Sequence, residues 1–150
     1  MITVLAVSGS RRERSYTKKS LQVVLDAAGE TGVETQLLDL GAVDLPLYDP
    51  DRDEQGDSAE LTRRVRGAEA VVLGSPVYHG SYSWTFRNFH DYCSKDDYRN
   101  TAVGLVATAG GGSYGPTLEH MRSTVRGVCG HTVPEQVGVR NASKKYYGDR

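Results

Sequence analysis

Short apolar runs alternate with amphipathic stretches along the whole chain, and this alternation constrains the fold more than any other feature. Five β-branched or Leu-rich segments recur, at residues 2–7, 35–40, 70–74, 102–108 and 133–139. The first, third and fourth are almost continuously apolar, as central parallel strands buried on both faces must be. Between them Leu21, Val24, Leu25 and Ala28 fall at helical spacing, closed by Gly29 and Gly32. Further helices are predicted over residues 58–67, capped by Asp57 or Ser58, over 83–93, and over 116–130. Parallel neighbours need crossovers and both sheet faces need cover, so this order predicts an α/β fold: a doubly wound five-stranded parallel sheet in three α/β/α layers.

Length sets the scale. The 150 residues fit one domain spanning residues 1–150, with residues 44–57 an acidic loop and residues 141–150 a polar tail. That tail is too short and polar for the helix that usually covers a last strand, so a missing fifth helix is expected, with a partner over that face or a truncated chain. Eighteen Lys and Arg against nineteen Asp and Glu give a net charge of −1, which offers no general attraction to nucleic acid or to an anionic membrane surface. Residues 1–7 lack a basic leader and the apolar run breaks at Ser8, so neither a signal nor a membrane span is expected.

Two cysteines, Cys93 and Cys129, make neither a disulfide framework nor a zinc motif, and a cytoplasmic setting fits them. Both are expected to be buried or half-buried. Cys93 and Arg99 have the Cys-x5-Arg spacing of a phosphatase loop, but the segment follows a helix, and Asp96 and Asp97 would repel a phosphate. His79, His90, His120 and His131 are too scattered for a metal site, with His90 and His120 expected on helix surfaces.

In open α/β sheets a ligand lies beyond the carboxyl ends of the strands, where strand order reverses. After the first strand, residues 8–17 bring Gly9, Ser10, Arg12, Ser15 and Thr17 to a helix start, where backbone N–H groups favour an anion. Neither GxGxxG nor GxxxxGK[ST] is present, so a terminal monophosphate suits the loop better than a pyrophosphate or triphosphate. The competing explanation is that these hydroxyls only cap the helix while the arginines are a solvated surface cluster. After the third strand, Pro76 stops the strand, Gly80 lets backbone approach a ligand, and Tyr78, Tyr82 and Trp84 can border a planar ring; after the fourth, Gly110, Gly111 and Gly112 expose N–H groups. A phosphate at one end and a flat ring at the other describe flavin mononucleotide.

Ser-Gly-Ser-x-Arg-x-x-Ser at residues 8–15, Pro-x-Tyr-x-Gly-Ser at 76–81 and the glycine-rich turn at 110–115 resemble the NADPH-dependent FMN reductase family, of flavodoxin-like fold. The resemblance implies an FMN phosphate held by Ser10, Arg12, Ser15 and Thr17, with Ser8 and Tyr16 beside them. It implies a ring against Pro76, Val77, Tyr78, His79, Gly80 and Ser81, and a pyrimidine edge on Ala109, Gly110, Gly111, Gly112 and Ser113. Thr17 replaces a common Asn, Val77 and His79 stand where many members have Glu and Asn, and Trp84 takes a site that is often Gly or Pro. The implied activity moves a hydride from NADPH or NADH through FMN to a small-molecule acceptor: free flavin, a quinone, an azo compound or a metal oxyanion. No side chain is assigned as acid or base. The implied assembly is a homodimer or homotetramer. A flavodoxin-like electron carrier and a cofactor-free remnant of the fold are the other readings.

Overall fold

The computed structural model describes residues 1–146. Strands β1 (Thr3–Ser8), β2 (Glu34–Asp39), β3 (Ala70–Pro76), β4 (Ala102–Thr108) and β5 (His131–Val139) alternate with helices α1 (Tyr16–Gly29), α2 (Ser58–Arg66), α3 (Trp84–Tyr92), α4 (Lys95–Tyr98) and α5 (Gly115–Gly127). Every strand pairing is parallel and the order across the sheet is β2-β1-β3-β4-β5, the flavodoxin-like arrangement. All five expected strands are present. The one-turn α4 was not anticipated; Ser94 and Asp97 form a reciprocal capping box that turns residues 95–98 into helix. No described helix is long and apolar enough to cross a membrane.

Strand alternation divides the core into two unequal halves. Leu5, Val7, Leu73 and Leu105 pack with Leu61, Phe86, Phe89 and Met121 from α2, α3 and α5. On the opposite face Ala6 and Val106, with partly buried Val4 and Val72, meet Leu21 and Leu25 of α1. Among the described residues no α-helix follows β5; Ala142–Lys144 instead make a single 3-10 turn. Edge strand β5 is accordingly half solvated, with Val137 49% exposed. It carries Pro134 inside a register shift opposite Val103 and Leu105, where a missing N–H costs least.

Three local expectations need correction. Asp57 stands at the α2 N-cap but its side chain does not cap. Its carboxylate accepts the Asp44 N–H at 2.9 Å and the Asp57 N–H donates back to the Asp44 carbonyl at 2.7 Å, closing the acidic loop on itself.

His90 is not on the surface. It is 5% exposed, stacked on Phe86. Its Nε2–H donates to the Thr124 carbonyl at 2.8 Å, and Nδ1 has no partner among the described residues. Burial lowers the pKa of this imidazole, only partly offset by the Thr124 bond. The folded state therefore holds the neutral ring, and the stability this contributes is complete above roughly pH 6.5 and is lost as pH falls below it. Urea midpoints measured from pH 7.5 down to 5 should fall more steeply for the parent chain than for His90→Gln.

Cys129, expected to be buried or half-buried, is instead exposed, whereas Cys93 is buried as expected. Burial, with Asp97 adding to it, pushes the Cys93 thiol well above its ordinary value. A chromogenic disulfide reagent should titrate one thiol quickly in the native protein and the second only in denaturant; two fast thiols would contradict this packing.

Candidate functional site

The order reverses between β1 and β3, and the loops leaving their carboxyl ends are bolted together. Gly9 N–H donates to the Gly74 carbonyl at 2.9 Å. The Ser83 hydroxyl donates to the Gly9 carbonyl at 2.6 Å and accepts the Phe86 N–H at 3.1 Å as the α3 cap. The Ser83 N–H in turn reaches the Ser75 hydroxyl at 2.9 Å. Gly9 is required by closeness: a Cβ there would lie 2.8 Å from Phe86 Cβ.

Over this frame opens a cavity of about 390 Å3, a size typical of small-molecule sites. Part of the wall is polar, with Ser10, Arg12 and Thr17 from the loop and start of α1; Pro76, Val77, Tyr78 and Ala109 make a more apolar part. Tyr16, Thr108 and Gly110 complete the predicted loops' share of the wall. Buried Ser10 accepts the Arg12 N–H at 3.3 Å, leaving its own proton to donate. Thr17 and Thr108 share a hydrogen bond of 2.6 Å between their hydroxyls, which ties α1 to the end of β4. Arg12 lies 5.9 Å over the Tyr16 ring and has no carboxylate partner among the described residues. A donor-rich part of the wall without a carboxylate among the described residues, next to an apolar part, fits a group that carries a phosphate on a planar ring system.

Other expected residues lie near the cavity without lining it. Ser15 accepts the Lys18 N–H at 3.0 Å and is the α1 cap, so helix capping accounts for this hydroxyl. Ser8 is fully buried at the end of β1, its hydroxyl without a partner among the described residues. His79 and Gly80 have φ of 51° and 82°, the left-handed pair of a type I′ turn, and Tyr78 and Ser81 exchange backbone bonds at 2.9 and 3.2 Å. Both central residues are exposed at the hairpin tip, and Gly80 answers to its φ. Ser81 Oγ lies 2.8 Å from His120 Nδ1, anchoring the hairpin to α5. Gly111, Gly112 and Ser113 are exposed beyond Gly110, and an added Cβ at Gly110, Gly111 or Gly112 meets nothing within 4 Å.

The fourth wall was missed from sequence. Ala142 and Ser143 line the cavity, because the segment read as a polar tail folds back: Asn141 N–H donates to the Gly111 carbonyl at 2.8 Å and Ala142 N–H to the Ala109 carbonyl at 2.9 Å. Tyr146 stacks on Tyr16 and shares a 2.7 Å hydrogen bond with Ser20. The one usable signal was the small, apolar Ala142 within a charged segment.

The sequence profile of the NADPH-dependent FMN reductase family matches residues 2–144. An FMN-dependent NADPH-azoreductase from Staphylococcus saprophyticus is 30% identical, over 97% of this chain and 80% of its own. The enzyme of the same name from Staphylococcus aureus is 28% identical over 92% and 77%. Among solved structures, an oxidoreductase from Corynebacterium diphtheriae superposes with a TM-score of 0.82 at 22% identity, covering 99% of this chain and 85% of that one. An apo NADH:FMN oxidoreductase gives 0.81 at 18%, covering 99% and 82%.

Proposed function

Since the chain belongs to the NADPH-dependent FMN reductase family and is an FMN-dependent NAD(P)H oxidoreductase, we propose that FMN occupies the cavity beyond β1, β3 and β4, its phosphate on Ser10, Arg12 and Thr17. The observation that carries this is the polarity of one cavity: the Arg12 guanidinium, without a carboxylate partner among the described residues, with the Ser10 and Thr17 hydroxyls at the α1 end, and Pro76, Val77, Tyr78 and Ala109 elsewhere on the wall. Bound FMN supplies hydride transfer between NAD(P)H and a second substrate. The chain's part is to orient and to polarise. The Ser83 and Gly9 bonds hold the phosphate loop at a fixed distance from β3. The type I′ hairpin, tied to His120, presents Tyr78 at the cavity, where it is 44% exposed. Among the described residues no carboxylate lines the cavity, and none of them there opposes negative charge gathering on a reduced ring.

The acceptor is an azo compound or a free flavin, in keeping with the names of the relatives. Two free cysteines accord with a cytoplasmic setting. Val137, 49% exposed on edge strand β5, which no α-helix follows among the described residues, supports a homodimer or homotetramer; a monomeric mass in light scattering would sink that part.

The purified protein should carry, or take up from a titration, one flavin per chain with its visible absorbance. NADPH should bleach that absorbance, and an azo dye should restore it. Failure of FMN to bind overturns the assignment, and bleaching without any catalytic turnover overturns the acceptor chemistry.

A further inference from the structure

Beside the large cavity lies a second cleft of about 260 Å3, and Arg12 lines both. Its walls carry Arg11, Arg12 and Lys18 against Glu13 and Asp39. Lys18 and Asp39 pair at 3.1 Å and neutralise each other, leaving two guanidinium groups facing one carboxylate. Arg11 has no carboxylate partner among the described residues. Its guanidinium stands 5.4 Å over the ring of Trp84, a large aromatic left 55% exposed at the first position of α3. Such a stack holds an otherwise floppy cation in place without neutralising it. The Ser83–Gly9 bond immediately behind both residues fixes the spacing of the two loops that carry them.

If Arg12 serves the FMN phosphate, Arg11 remains as a second, separately braced cation in the adjoining cleft, which shares Arg12 with the cavity. We propose that this cleft receives the 2′-phosphate of NADPH, and that Arg11, held on Trp84, is the residue that distinguishes NADPH from NADH. A phosphate monoester dianion offers oxygens to a guanidinium fork, whereas the 2′-hydroxyl of NADH offers one neutral oxygen. The inference rests on FMN lying in the larger cavity, and its test separates the two.

Trp84 is the single tryptophan of the chain, so intrinsic fluorescence reports on the Arg11 guanidinium stacked over it, a wall of this cleft. The protein, with and without FMN, is titrated with 2′,5′-ADP and with 5′-AMP, following Trp84 emission and, in parallel, heat. 2′,5′-ADP is expected to bind about tenfold more tightly than 5′-AMP, or 1.4 kcal/mol. Arg11→Ala should abolish that preference and leave FMN affinity alone, while Arg11→Lys, which keeps the charge and loses the fork, retains part of it. In turnover, Arg11→Ala should lower the NADPH-to-NADH ratio of kcat/KM about tenfold, through KM for NADPH. Equal binding of the two probes, or a preference that survives Arg11→Ala, overturns the proposal. Failure of FMN to bind the parent protein overturns the cavity assignment instead, and the FMN-free titrations still read the cleft.

Discussion

Replacing Arg12 with alanine should weaken FMN binding by about 10- to 100-fold, roughly 1.5–3 kcal/mol, while the flavin-free protein keeps its melting temperature. The size follows from chemistry: a guanidinium donating to a phosphate dianion makes charge-assisted bonds about twice as strong as neutral ones. The unchanged stability follows from placement. Arg12 is exposed, pairs with no described carboxylate, and contributes a ring contact to Tyr16 rather than core packing. Riboflavin, which lacks the phosphate, is the control ligand. Its affinity should be unmoved by Arg12→Ala, and an equal loss for FMN and riboflavin would mean that Arg12 shapes the ring slot instead. Arg14, which lines neither cavity, should tolerate alanine with no change in either affinity.

Local rules made the sheet and much of the cavity wall legible. Continuous apolar runs in β1, β3 and β4 identify buried parallel strands, and burial of Leu5, Leu73 and Leu105 bears this out. The ligand-edge rule then brought Ser10, Arg12, Thr17, Pro76, Val77 and Tyr78 to one place, and all six line one cavity. What was illegible depended on long-range contact. His90 is polar by type, yet it fills a core position between Phe86 and Tyr98 because its one donor finds the Thr124 carbonyl of another helix. Residues 140–146 read as solvated because their composition is polar; their fold-back depends on the carbonyls of Ala109 and Gly111, which no local pattern announces. The glycines divide in the same way. From sequence Gly9 and Gly110 are equivalent loop glycines, but a Cβ at the first meets Phe86 and at the second meets open space.

That division sets up an effect on stability and binding together. Gly9→Ala should lower stability by about 1–3 kcal/mol and weaken FMN binding at the same time. The added methyl would lie 2.8 Å from Phe86 Cβ, 3.1 Å from the Gly74 carbonyl and 3.2 Å from Ser83 Oγ. None of these can swing aside: Phe86 Cβ is carried by the α3 backbone with its side chain fully buried, Gly74 belongs to β3, and Ser83 Oγ is already held by Gly9 and Phe86. Relief must come from the loop, which shifts Ser10 and Arg12 away from β3. Stability and affinity are therefore coupled at Gly9, whereas Arg12→Ala separates them. Gly111→Ala is the matched control, since its Cβ meets nothing within 4 Å and its φ is not in the left-handed region; its melting temperature should equal or exceed that of the parent, the unfolded chain having lost freedom. Thermal melts of the flavin-free proteins and FMN titrations below their melting points test both. A Gly9→Ala protein that melts normally and binds FMN normally would show that the β1 loop is soft, and that its bonds to Gly74 and Ser83 do not set the geometry of the phosphate end.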